Sequence, residues 1–215
     1  MPSAASPKLK RAERILLVAG ISCLLTWGAM RIYSVAASKA AVRNFETVEE
    51  GRAFAQANLS ALDVRLWSTE RIAAYQKSLS QLTAAPIAVL RIPKISLVAP
   101  VFNGTGDLIL DRGVGRVPGT AAIGQAGNLA IAGHRDGFFR GLSEVSIGDV
   151  VEVERPGSVD SYAVTATRVV APEDISVLRP SASPTLTLIT CFPFYFVGHA
   201  PQRYIVTAVL DVHHN

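Results

Sequence analysis

The sequence predicts a mostly β domain, a small antiparallel or mixed barrel, behind an apolar N-terminal segment and a helix. Three observations favour this fold class. Hydrophobic residues make up 49% of the chain and charged residues only 18%, which is typical of a packed protein. Short β-rich runs follow one another closely after residue 86, with no helical repeats between them. Before residue 86 the apolar residues recur at helical spacing instead.

The first segment combines a basic tip with an apolar run. Residues 1–14 hold four basic side chains and one acidic one, and residues 15–30 hold no charge. A helix that continued to residue 38 would be about 36 Å long, enough to cross a bilayer. We therefore predict a cytoplasmic tip over 1–14 and a transmembrane signal anchor over 15–38, with the tip inside. A cleaved signal peptide, with its cleavage site at residues 35–37, is the alternative.

Both alternatives export the rest of the chain. The basic tip also accounts for most of the net charge of +4, so the exported part is close to neutral. A nucleic-acid partner is therefore not expected.

An apolar stripe predicts a helical appendage over residues 39–85, either a stalk or a helix packed on the domain. Ser68 is expected to cap its second helical run, with Glu70 in the first turn, and the run should end before Pro86. The stripe consists of Leu59, Leu62 and Leu66, followed by Ile72, Tyr75, Leu79 and Leu82.

Residues 86–215 predict the barrel domain. A hairpin turn is expected at Pro156-Gly157, between two of the strands. The predicted strands are the runs IAVLRI, SLVAPVF, NLAIAGH, DVVEVE, YAVTATRVV, TLTLIT and RYIVTAVL.

Cys191 ends an apolar strand and enters an aromatic loop, FPFYFVG, residues 192–198. The other cysteine, Cys23, lies in the apolar N-terminal run, so a disulfide between the two is implausible. An exported, unpaired cysteine either reacts or packs as a small hydrophobic residue. A reactive thiol needs a base or a cationic neighbour, because most of it is protonated at neutral pH.

His134 and Arg203 are the best candidates for those neighbours. His134 ends a predicted strand and enters a Gly-rich turn, a suitable place for an acid/base group. Arg203 stands near the start of the strand after Cys191, where a guanidinium could reach a developing oxyanion. The other histidines are an ordinary loop residue, His199, and a pair in the C-terminal tail, His213 and His214.

The motif TLITC, with GH upstream and PQR downstream, resembles the signature of the sortases, membrane-anchored cysteine transpeptidases. The blocks LWSTERIAAYQKSL, LRIPKI, VAPVFNGT, RGVGRVPGT, GNLAIAGHRDGFFRGL and TLTLITCFPFYFVGHAPQRYIV extend the likeness over roughly residues 60–212. They look like class D sortases, especially the single-copy kind of Gram-negative bacteria. The resemblance implies an eight-stranded β-barrel with short helices. It also implies a single-pass protein of the inner (cytoplasmic) membrane with a periplasmic catalytic domain.

By this resemblance Cys191 is the nucleophile, His134 the acid/base and Arg203 the oxyanion-stabilising or substrate-orienting group. The implied partners are a secreted protein with a C-terminal sorting signal of the Leu-Pro-x-Thr kind and an amine acceptor. Cleavage after the Thr would pass through a thioacyl enzyme. Thr190, Phe192 and Phe138 are predicted to contact the signal, although core packing is an equal alternative for the two phenylalanines.

Two rival functions remain open at this point: another cell-envelope cysteine acyltransferase of the L,D-transpeptidase kind, and a non-catalytic anchored binding module. No cofactor or metal is expected. His134 and Asp136 lack a further ligand at a recognisable spacing, and Glu173 with Asp174 is a thin pair for calcium.

Overall fold

The structure is a computed structural model that describes residues 17, 20–22, 24–26, 64–81, 84–195 and 198–211. The chain divides into two compact units, residues 1–47 and 48–215. In the first unit the described residues are helical and exposed. Within the part of the chain that is described, no helix is long and apolar enough to span a bilayer. The predicted tip, most of the predicted anchor and residues 39–63 lie outside the described residues, and these assignments stay predictions.

Eight strands of the second unit close into a barrel, as predicted. The strands are β1 (Ala88–Ile92), β2 (Leu97–Asn103), β3 (Val114–Arg116), β4 (Asn128–Ala132), β5 (Val150–Arg155), β6 (Ser158–Val170), β7 (Thr185–Phe192) and β8 (Gln202–Leu210). Around the barrel they follow the order β1-β2-β3-β4-β7-β8-β6-β5, and β5 pairs with β1. The sheet is mixed, because β2 pairs with β3 and β4 with β7 in parallel, while the other neighbours are antiparallel.

Two short α-helices accompany the barrel: α1 (Thr69–Leu79) and α2 (Asp107–Arg112). The predicted N-cap is confirmed, since the Ser68 hydroxyl accepts the Arg71 backbone N–H at 3.2 Å. The apolar stripe of α1 is less regular than predicted. Leu79 is 46% exposed, whereas Ser78 is buried and donates its hydroxyl proton to the Tyr75 carbonyl.

The barrel interior fixes the pairing of β4 with β7. Leu129 and Ile131 of β4 and Leu186 and Leu188 of β7 all belong to one buried cluster. Each such side chain stabilises the fold by about 1.5–3 kcal/mol relative to exposure. A slip of one residue would turn these side chains outward, so the register between the two strands is strongly determined.

Several strand boundaries differ from the predicted ones, and two short elements are not predicted. β4 ends at Ala132, two residues before the predicted end at His134, because the chain turns there into a loop. β6 begins at Ser158, directly after the predicted Pro156-Gly157 turn, which pairs Arg155 with Ser158. The three-residue β3 and the six-residue α2 are not predicted, since neither is long enough to show a period.

Candidate active site

The parallel pair β4 and β7 brings His134 beside Cys191. Ala132 is the register partner of Ile189, and the Gly133 N–H donates to the Ile189 carbonyl at 3.1 Å. His134 stands two residues beyond Ala132, in the loop that follows β4, and Cys191 stands two residues beyond Ile189 in β7. Because parallel strands end at the same edge of a sheet, both residues open at one end of the barrel.

The antiparallel strand β8 brings Arg203 to the same place. Cys191 and Arg203 are direct register partners across β7 and β8. Directly opposed residues share one face of a sheet. Since Leu186 and Leu188 point into the core, alternation puts Cys191 and Arg203 on the outer face. The structure therefore brings the three residues predicted from sequence together at one end of the barrel.

Cys191 is a partly exposed free thiol. The residue before it, Thr190, is only 2% exposed and donates its hydroxyl proton to the Gly133 carbonyl at 2.8 Å. Thr190 thus ties the end of β7 to the residue that precedes His134. This contact gives Thr190 a structural reason to be a hydroxyl residue, and its predicted contact with a substrate stays a prediction.

Gly133 is required by a close approach. A Cβ atom at this position would lie 2.7 Å from the ring of Phe139, which is fully buried in the core. The backbone of the His134 loop therefore packs directly on an aromatic side chain. This packing sets where His134 emerges from the sheet.

The His134 side chain is 26% exposed, and its Nε2 lies 3.6 Å from Oδ1 of Asp111. Burial lowers the pKa of His134, and the positive charge of Arg71 lowers it further. Asp136, Asp111 and Asp107 act in the opposite direction without cancelling the effect. His134 is therefore neutral at pH 7, with a carboxylate ready to stabilise the imidazolium when it forms.

Arg203 is tethered where β8 begins. Its Nη1 donates to the carbonyls of Ala200 at 3.3 Å and Gln202 at 3.0 Å. These bonds hold the guanidinium near the entry of the strand, where residue 203 is the register partner of Cys191. A fixed cation at this point suits an oxyanion that develops beside the sulfur.

Two arginines of the His134 loop hold the aromatic loop that follows Cys191. Arg135 donates from Nη1 to the Pro193 carbonyl at 3.2 Å and from Nη2 to the Gly198 carbonyl at 2.7 Å. Arg140 donates to the Phe194 carbonyl, and its guanidinium carbon lies 4.0 Å from the ring centre of Tyr195. The Phe192–Pro193 peptide bond is cis.

The predicted substrate-contacting phenylalanines are both packed against other rings. Phe138 is 4% exposed, with the Trp67 ring centre 4.8 Å away and Tyr75 also in contact. This burial favours core packing, the alternative that the sequence left open. Phe192 is partly buried and stacks on Tyr204 at 6.2 Å. Phe196 lies outside the described residues.

The family of the chain follows from its similarity to known proteins. A sortase domain model matches residues 90–211, more than half of the chain. The chain belongs to the sortase family. Sortase D of Bacillus subtilis (strain 168) is 33% identical over 125 residues, 58% of this chain and 63% of the relative. Sortase A of Streptococcus agalactiae serotype III (strain NEM316) is 28% identical over 157 residues, 69% of this chain and 61% of the relative.

Solved sortase structures share the fold. A sortase D5 transpeptidase of Clostridium perfringens has a TM-score of 0.56 and 25% identity, and covers 78% of this chain and 98% of its own. Sortase E of Streptomyces avermitilis has a TM-score of 0.52 and 33% identity, over 59% of this chain and 88% of its own. This sortase spans less than two thirds of the length of both curated relatives. Its predicted class D character stays a prediction.

Sequence reasoning missed two residues that surround the sortase histidine, Arg71 and Asp111. Arg71 donates from Nε to Oδ1 of Asp136 at 3.2 Å and from Nη1 to Oδ1 of Asp111. Burial raises the pKa of Asp136, but Arg71 and hydrogen bonds to the carboxylate hold it below its usual value. No sequence signal connects Arg71, Asp111 and Asp136, which stand on three separate segments of the chain. Of these three residues, only Asp136 lies close in sequence to a predicted site residue, His134.

Metal-binding groups are not gathered at this site. Across the described residues, no cluster of three or more His, Cys, Asp or Glu side chains has the geometry to hold a metal ion. Of the acidic pair Glu173 and Asp174, Asp174 caps a short 3₁₀ turn by accepting the Ser176 N–H at 3.0 Å.

Proposed function

We propose that this sortase is a membrane-anchored cysteine transpeptidase. It cleaves a Leu-Pro-x-Thr-like sorting signal after the Thr and transfers the protein to an amine acceptor. The observation that carries the proposal is the strand register, in which Cys191 faces Arg203 across β7 and β8 while β4 delivers His134 to the same edge. The family match adds support.

The reaction runs in two acyl transfers. The Cys191 sulfur attacks the Thr carbonyl, a C–S bond forms, and the thiol proton passes to His134. The C–N bond then breaks, and the leaving amine takes the proton from His134. An incoming amine then attacks the thioester and forms the new C–N bond while His134 accepts its proton. The C–S bond breaks, and His134 returns the proton to the sulfur, which restores the thiol. Arg203 stabilises the oxyanion in both steps.

The surroundings of His134 support these roles. Because burial and Arg71 lower the pKa of His134, the imidazole is neutral at pH 7 and able to accept a proton. The nearby carboxylate of Asp111 stabilises the imidazolium after proton transfer.

The proposed location rests on the basic tip and the apolar run at the N-terminus. The tip lies in the cytoplasm, residues 15–38 cross the inner membrane, and the barrel lies in the periplasm, where secreted proteins with sorting signals pass. Protease added to spheroplasts should degrade the barrel of the tagged full chain. The intact mass of the purified protein should include residues 1–38; a mass that begins after residue 37 would favour the cleaved signal peptide.

The activity is tested with the full chain in detergent and a library of Leu-Pro-x-Thr-x peptides. Cleavage after the Thr, transfer to an added amine such as triglycine, and a peptide thioester on Cys191 in the mass spectrum are expected. Cys191→Ala should remove all three, and His199→Gln, at an exposed histidine, should keep them. Transfer by Cys191→Ala would refute the assignment. Peptide binding without a thioester would identify a non-catalytic binding module, and exchange of peptidoglycan cross-links alone would favour an L,D-transpeptidase.

A further inference from the structure

Helix α1 contributes to the site although it lies outside the family match. The sortase domain model begins at residue 90, whereas α1 spans Thr69–Leu79. From this helix Arg71 reaches two carboxylates, Asp136 through Nε at 3.2 Å and Asp111 through Nη1. Asp111 in turn lies 3.6 Å from the Nε2 of His134.

Consecutive residues of α2 hold both ends of α1. Asp111 pairs with Arg71 in the first turn of α1. Arg112 donates from Nη1 to the carbonyl of Ser78 at 3.4 Å, in the last turn of α1, and to that of Gln81 at 3.0 Å, just beyond the helix. The helix therefore cannot shift along its axis without breaking contacts at one end.

The first turn of α1 is also packed on the His134 loop. Trp67, just before the helix, meets the ring of Phe138 edge to face at 4.8 Å. The stem of Arg71 lies so close to Gly137 that an added Cβ there would be 3.3 Å from its Cγ and Cδ. The Ser68 hydroxyl donates to Oδ2 of Asp136 at 3.2 Å. These contacts fix Arg71 relative to the loop that carries His134.

We propose that Arg71 and Asp111 are positioning residues of the active site, which together hold the orientation and the charge state of His134. The inference rests on the proposed transpeptidase function for its meaning in catalysis. Arg71 clamps the two carboxylates in place, so that one of them, Asp111, stays within reach of the imidazole. The helix that precedes the barrel is thereby part of the catalytic apparatus.

Charged groups face His134 from three segments. Arg71 on α1 disfavours the imidazolium, whereas Asp107 and Asp111 on α2 and Asp136 on the His134 loop favour it. Cys191 lies near the end of β7, the strand that pairs with β4. Arg71 and Asp111 thus act on His134 with opposite sign, although they form one ion pair.

The opposite signs make the proposal testable without an activity assay. The imidazole of His134 is titrated by NMR in the full chain, in detergent, and its signal is assigned by its loss in His134→Gln. In Asp111→Asn the pKa of His134 should fall, because a stabilising negative charge is gone. In Arg71→Gln it should rise, because a positive charge is gone and the carboxylates are released.

A purely structural role would give a different pattern. Loosening of α1 would expose His134 to water and raise its pKa in both variants, so the downward shift in Asp111→Asn is the decisive arm. Arg91→Gln is the matched control, since Arg91 pairs with Glu154 at 2.9 Å on strands β1 and β5, away from β4 and β7 in the barrel order. It should leave the His134 titration unchanged. Equal or upward shifts in both test variants would overturn the proposal.

Kinetics add a second readout. Asp111→Asn should lower kcat about 10- to 100-fold with little change in KM, because the imidazole loses its fixed orientation but the signal-binding surface is retained. Asp111→Glu should recover part of kcat. A change in KM alone would contradict a positioning role. If no peptide is transferred at all, the proposed function fails, while the NMR shifts still decide the electrostatic roles of Arg71 and Asp111.

Discussion

Thr190 and Cys191 are adjacent in sequence but serve opposite faces of β7. Thr190 turns inward and is bound to the Gly133 carbonyl, while Cys191 turns outward to face Arg203. This division follows from the alternation of side chains along a strand. A buried hydroxyl is acceptable there only because it has a hydrogen-bond partner.

The hydroxyl of Thr190 should therefore matter for stability. Thr190→Val keeps the shape but removes the donor to Gly133, and we expect a loss of about 1–2 kcal/mol in the free energy of unfolding. Urea unfolding followed by circular dichroism measures it. Thr165→Val is the control, because Thr165 is exposed and bonds the Thr207 carbonyl at 3.2 Å; its effect should stay within about 0.5 kcal/mol. Equal losses of unfolding free energy in both variants would show that the buried hydrogen bond of Thr190 stabilises the fold no more than the exposed one of Thr165.

The two loops of the site act as one element. The loop after β4 carries His134, and its Arg135 and Arg140 bind backbone carbonyls of the loop after β7. The loop that carries His134 and the aromatic loop that follows Cys191 are thus joined directly. Positively charged donors to backbone oxygens are stronger than neutral ones, so these ties hold the loops together.

Arg140 offers a test of this connection. Arg140→Met keeps the apolar stem but removes the donor to Phe194 and the cation over Tyr195. We expect faster amide hydrogen exchange at residues 194 and 195 and a loss of about tenfold in kcat/KM for peptide transfer. Arg168→Met, on the exposed side of β6, is the control and should change neither. Unchanged exchange at the loop in Arg140→Met would contradict the proposed tie.

At the scale of the whole molecule, barrel topology makes the site. His134 and Cys191 are 57 positions apart in sequence. They come to the same edge of the barrel because β4 and β7 are parallel neighbours, one of two parallel pairs in the barrel. Strand β8 pairs antiparallel with β7 and places Arg203 opposite Cys191. Three strand ends at one rim therefore bring together groups from three distant segments.

Charge near this rim should also make the stability of the domain depend on pH. His134 has a folded-state pKa below its ordinary 6.5, and Asp136 one below its ordinary 3.8. Below each ordinary value the unfolded chain binds more protons than the folded one, so acid favours unfolding. The free energy of unfolding should therefore fall as the pH drops below 6.5, and again below 3.8.

Urea unfolding of the full chain between pH 8 and pH 3 measures this dependence. His134→Gln should reduce the fall in the free energy of unfolding below pH 6.5 and leave the fall below pH 3.8 unchanged. A fall of the same size below pH 6.5 in His134→Gln would assign it to another group.

Much of the local structure can be predicted from the sequence. The strand runs, the Pro156-Gly157 turn and the Ser68 cap depend on neighbouring residues, and all three are found where the patterns predict them. The trio of Cys191, His134 and Arg203 was also identified by its motif, and the barrel brings these residues together. Period, turn chemistry and a strong motif are short-range signals, so one sequence suffices to read them.

Tertiary structure alone decided what surrounds that trio. Arg71 and Asp111 stand 40 positions apart, and Arg71 and Asp136 stand 65 apart, so no local pattern links them. From the sequence, Phe138 fits the wall of a groove as well as the core. Its contact with Trp67 in the structure favours core packing. The sequence by itself determined which residues are candidates for the chemistry. Which charges tune them depends on the packing of α1 and α2 against the barrel, because electrostatic effects follow distance in space and not position along the chain.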